Sequence, residues 1–137
     1  MVCGRGEYNT CIARKGQPLD KHLVEVGIKT KSKVEKRIGK NYGELGYIVG
    51  IFHDLGKAEI SIQNALQSEI RPKKSHAYWS YVFYFYYVKN YGLLKIYTID
   101  KIILGGIAIL THHTIPHKDS FKNIKDKGIA GDGAEFS

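Results

Sequence analysis

Six histidines are the residues of this 137-residue chain whose type and spacing best suit chemistry. Three of them stand in adjacent pairs, His53 with Asp54 and His112 with His113, each pair at the end of an apolar, helix-patterned stretch. His22 falls on the same stripe as Leu19, Leu23 and Val26, so its imidazole points inward, where a buried polar ring needs a partner. Adjacent helical residues diverge by about 100°. Neither pair can therefore serve a single apolar face, whereas both members can reach a metal cluster at a helix end. Imidazole nitrogen together with carboxylate oxygen suits Mn, Fe, Co, Ni or Zn, and Mg where oxygen ligands dominate. One carboxylate shared by two ions holds them about 3.5–4 Å apart, which activates water and stabilises the leaving oxygen in phosphodiester cleavage. A lone helical histidine is ordinarily a surface or hydrogen-bonded core residue; recurrence at helix ends sets these apart.

Five helices would have to position those side chains. Leu19, Leu23 and Val26 recur at helical spacing from Pro18 to about Gly39, and Pro18 suits a first helical turn. Leu45, Ile48, Phe52 and Leu55 predict a second helix over 42–55, with Gly56 as its C-terminal stop. A third, shorter helix covers Ala58 to Ser68. Ser75 is a good N-cap for a fourth segment to about Asn90; the run from Tyr78 to Val88 is aromatic and β-branched enough for a strand, but its length favours a helix. A fifth opens near Thr98 or Asp100 and runs to His112-His113. No hairpin signal or internal repeat stands out, so a single all-α domain is expected over 1–126, with a mobile, glycine-rich tail over 127–137.

Twenty-one Lys and Arg against thirteen Asp and Glu give a net charge of +8, a balance that favours polyanions. The run of Lys29, Lys31, Lys33, Lys36, Arg37 and Lys40 is the leading candidate for nucleic-acid binding, centred on Lys33, Lys36 and Arg37; a solvated helix face is the plain alternative. Cys3 and Cys11 show no pattern of a disulfide framework or zinc finger, which suits a reducing cytosol. No signal core or membrane-length apolar stretch is seen, so a soluble cytoplasmic protein is expected.

The segment His53-Asp54-Leu55-Gly56-Lys57 resembles the signature of the HD phosphohydrolase superfamily. Gln17-Pro18-Leu19-Asp20-Lys21-His22-Leu23 upstream, then Gln63, Ser75-His76, Ser80 and the His112-His113 doublet narrow the likeness to the HD nuclease of CRISPR interference, in its stand-alone form; it spans about residues 8 to 116. The resemblance implies that His22, His53 and Asp54 hold one divalent metal and that Asp54, His76, His112 and His113 hold a second, with Asp54 bridging. It implies that Lys57 faces the scissile phosphate or the attacking water as an electrostatic stabiliser, and that Ser80, one turn from His76, orients that ring. It also implies a CRISPR helicase and an RNA-guided surveillance complex as partners.

One departure stands out. The family pattern closes with an Asp on a later helix, and only Asp119, Asp126 and Asp132 follow His113, in a stretch without helical periodicity. Truncation is the expected explanation, and His117, after Pro116, is read as a non-ligand. The leading expectation is a metal-dependent nuclease that cuts single-stranded DNA, with RNA also open. The alternatives are an HD phosphohydrolase acting on nucleotides or other phosphate monoesters, and a basic all-α module that binds nucleic acid without catalysis.

Overall fold

The computed structural model describes residues 11–112. Two short antiparallel strands, β1 (Ile12–Arg14) and β2 (Gln17–Pro18), open it. Five helices follow: α1 (Leu19–Arg37), α2 (Gly43–Phe52), α3 (Ile60–Gln67), α4 (His76–Asn90) and α5 (Ile99–Thr111). Tight 3-10 turns lie at Lys40–Tyr42, Leu55–Ala58 and Leu93–Lys95. The domain is all-α with the five expected helices. The hairpin is an addition to that expectation: strands of three and two residues are too short for an alternating pattern to register. Its turn at Lys15-Gly16 is made possible by Gly16, whose φ of 75° lies in the left-handed region.

Helix starts follow their local chemistry. Pro18 is extended (ψ 136°) and precedes α1 rather than sitting inside it, and the Ser75 hydroxyl accepts from the Tyr78 N–H at the start of α4. The aromatic run after Ser75 is a helix, with Tyr84 and Val88 turned into the core. α2 ends at Phe52, earlier than the sequence suggests, because the chain leaves helical geometry at Asp54 (φ −118°, ψ 8°) and tightens into the 3-10 turn. Gly56 is accordingly not a helix stop. It lies within that turn against α4, where a Cβ would collide with the His76 carbonyl oxygen.

The main core joins α2, α4 and α5 through Leu45, Tyr84, Val88, Ile102 and Ile109. A smaller cluster of Cys11, Ala13, Leu19, Leu23 and Ala58 fastens the hairpin and the 3-10 turn to α1. Cys11 takes part in a disulfide, which does not suit the reducing cytosol read from the sequence; two cysteines leave no spacing pattern of a framework to read. α1 and α2 cross closely at Gly50, where a Cβ would meet the Gly27 Cα at 2.7 Å. That close approach sets His22 on α1 beside His53 after α2. Among the described residues, no helix is long and apolar enough to cross a membrane.

Candidate metal centre

Asp54 is the hub of the site. The two helices that run away from this end of the bundle, α1 and α4, contribute His22 and His76 from their first turns, while α2 and α5 arrive at it and contribute His53 and His112 as their C-caps. Asp54 is 4% exposed, and its carboxylate meets a different pair of imidazoles on each oxygen. Oδ2 lies 2.9 Å from His22 Nε2 and 3.2 Å from His53 Nε2; Oδ1 lies 3.1 Å from both His76 Nε2 and His112 Nε2. Two ligand groups result, His22–His53–Asp54 and Asp54–His76–His112, each with its ligand atoms within 4.8 Å of one another. The described residues thus bring together five of the six residues expected to hold metal, with His22 and His53 at one Asp54 oxygen and His76 and His112 at the other. His113, His117 and the later acids Asp119, Asp126 and Asp132 lie outside the described residues, as does the 127–137 tail.

The hydrogen bonds fix which ring nitrogen faces the carboxylate. His53 Nδ1 lies 2.5 Å from the Gly50 carbonyl and His112 Nδ1 2.5 Å from the Ile109 carbonyl. A carbonyl can only accept, so each Nδ1 carries the proton, and in a neutral ring Nε2 presents a lone pair to Asp54. Lone pair against carboxylate at about 3 Å is repulsive by itself. The approach becomes favourable when a cation is shared between them, either a proton on the ring or a metal ion. A buried carboxylate surrounded by four Nε2 atoms can therefore hold a metal ion. Burial by itself would raise the Asp54 carboxyl, but with the rings protonated the hydrogen bonds from His112, His53 and His76 and the charge on His53 hold it far below the usual carboxylate range.

Lys57 completes the Oδ2 side. Its ammonium lies 3.3 Å from Asp54 Oδ2 and donates to the Ala13 carbonyl at 3.2 Å, so β1 holds it at the rim of the cluster. Gln63, a motif residue to which the resemblance attaches no role, is the clamp behind it. Its Oε1 accepts from Ile12 N–H at 3.0 Å, and its Nε2 lies 2.8 Å from the Ile12 carbonyl and 2.7 Å from the Lys57 carbonyl. A glutamine 3% exposed needs its amide satisfied; sequence patterning gives no sign of this pairing, because the partner strand is only three residues long. Ser80 does not have the expected role. Its hydroxyl accepts from the Gly56 N–H at 2.7 Å and so ties α4 to the 3-10 turn that follows Asp54, positioning His76 through the backbone instead of touching its ring.

Lys33, Lys36 and Arg37 are on the second half of α1, outside this cluster. No family model, curated protein or solved structure matches the chain. The likeness to HD nucleases therefore rests on the motif residues themselves.

Proposed function

We propose that this chain is a divalent-metal-dependent phosphodiester hydrolase of the HD type, a nuclease acting on single-stranded DNA in CRISPR interference. The observation that carries the proposal is Asp54 with two imidazoles on each of its oxygens. One carboxylate with two separate ligand groups is the donor set a pair of ions requires, and when bound such ions supply Lewis acidity and an activated water. The donors fit a transition metal better than Mg, because nitrogen ligands outnumber oxygen.

The chain's own groups divide the remaining work. Backbone carbonyls of Gly50 and Ile109 orient His53 and His112. Lys57 supplies a positive charge beside the Oδ2 group, suited to a phosphate oxygen. The basic run on α1 supports a polyanionic substrate. Counting about 100° per residue, Lys29, Lys33 and Lys36 fall within about 40° of His22 around the helix, and Lys36 lies about 21 Å further along it. Lys31, which pairs with Glu44 at 2.7 Å, is on the opposite side. A strand laid along that flank would pass from Lys36 towards the metal ligands. The proposed partners, a helicase and an RNA-guided surveillance complex, follow from the motif resemblance alone.

The test is cleavage of end-labelled single-stranded DNA with Mg, Mn, Co or Ni, run beside mononucleotides and an EDTA control. Metal-dependent cutting of the strand is expected. Turnover confined to mononucleotides would make the chain a nucleotide phosphohydrolase, and absence of both activities in metal-loaded protein would leave only a binding module.

A further inference from the structure

α4 carries a stripe of aromatic side chains that begins at a metal-site residue and that the core does not use. Tyr84 and Val88 face inward, whereas Trp79, Phe83 and Tyr86 follow His76 on its own side of the helix, within about 80° of it by helical register. Trp79 and Phe83 are half-buried and face each other at 6.1 Å, with planes tilted by 35°; Tyr86 is 71% exposed. From His76 to Tyr86 the stripe is about 15 Å long. No residue of α4 is acidic, and exposed Lys73 and Lys89 flank its two ends.

We infer that Trp79, Phe83 and Tyr86 form a stacking platform for the bases of single-stranded nucleic acid, leading to the metal centre at His76. The inference rests on the nuclease reading of that centre. Flat π faces in series on a helix without acids and with lysines at its ends are what a sequence-tolerant single-strand site requires, because every base can stack while the cations meet the phosphates. Cationic, acid-free sequence along the stripe favours a polyanion over an apolar protein surface, and the exposed isoleucines Ile99, Ile103 and Ile107 lie apart from it on α5. Stacking on α4 would leave the α1 lysines to the other flank of the cut.

Trp79 is the chain's single tryptophan, so its emission reports the platform without a label. In EDTA, which stops metal-dependent cleavage, a short oligothymidylate is expected to quench Trp79 saturably, and a blunt duplex is not. Trp79→Leu keeps apolar bulk but removes the π face, and should weaken binding of a dye-labelled oligothymidylate roughly 5- to 150-fold. Trp79→Phe should restore most of that loss. Tyr86→Ser should give a smaller loss with an unchanged melting temperature. Cleavage of the oligonucleotide with Trp79 emission unmoved and Trp79→Leu binding as tightly as wild type would overturn the platform and leave the hydrolase reading standing. Saturable quenching without cleavage under any metal would do the reverse.

Discussion

Removing the Asp54 carboxylate is the most discriminating perturbation, because one side chain joins both ligand groups. Its oxygens meet four imidazoles and the Lys57 ammonium, all within 3.3 Å. Asp54→Ala would leave Lys57 inside the structure without its counter-charge. Stripping one partner from a buried pair costs about 3–5 kcal/mol, which risks the fold and confounds the assay. Asp54→Asn removes the same charge but keeps the volume and leaves an acceptor for the Lys57 ammonium, which limits the loss and makes it the better variant. In wild-type protein, metal at about 100 times its dissociation constant should add about 2.7 kcal/mol. For a domain of this size that raises the melting temperature by roughly 8–14 °C. Thermal unfolding followed by circular dichroism, with Mn or Ni against EDTA, reads the shift. Asp54→Asn should lose nearly all of it, together with strand cleavage, the shift being read against the variant's own melting temperature in EDTA. A folded Asp54→Asn protein with the full metal-induced shift and undiminished cleavage would refute the bridging role.

Replacing Lys33, Lys36 and Arg37 with Gln should leave the melting temperature nearly unchanged, since none of them belongs to the core, and should flatten the salt dependence of single-strand binding by up to about 0.7 for each phosphate no longer neutralised; an unaltered slope would return them to a solvated face. Ser80→Ala removes the acceptor of the buried Gly56 N–H and should cost about 1–3 kcal/mol, with weaker metal binding on the His76 side in a metal titration. Burial pushes the Tyr84 hydroxyl up to about 12, so the neutral form is favoured in the fold. Its contribution is complete below about pH 10 and is lost as pH rises from there to about 12; Tyr84→Phe should flatten that alkaline limb in urea unfolding. Lys57→Met removes a cation beside Oδ2, which should tighten metal binding to the His22 and His53 group while lowering cleavage; in wild-type protein the His76 and His112 group should fill first, as calorimetric titration would show.

The helices are legible in the sequence because each buries a stripe long enough to repeat: Leu19, Leu23 and Val26 on α1, or Ile102 and Ile109 on α5, span several turns. The candidate ligands are legible for the same reason, since the histidines stand where those stripes begin or end. What escapes is local and reciprocal. β1 and β2 together are five residues, and β1 is anchored by Gln63, which lies 51 positions from Ile12. Gly56 looks like a helix stop to any rule based on neighbours along the chain, yet the His76 carbonyl on α4 is what demands it. Ser80 stands beside the site as its spacing implies, but with a different partner. Spacing along one helix brings Ser80 near His76, while only the packing of α4 on the 3-10 turn brings it to Gly56.

One bond is used twice in this site, and that economy explains why histidines close α2 and α5. A helix ends with its last carbonyls unpaired, and they need donors. His53 and His112 each supply one from Nδ1, to the carbonyl three residues back. The same bond decides the tautomer and locks the ring, leaving Nε2 to face Asp54 on opposite oxygens. An asparagine could cap the carbonyl but is too short to present a second nitrogen to Asp54; a lysine could reach the carboxylate but would compete with a metal for it. Imidazole alone meets both demands from one position. The two helices that arrive at this end of the bundle therefore carry the same residue at the same place, and helix termination and ligand orientation are fixed by a single interaction.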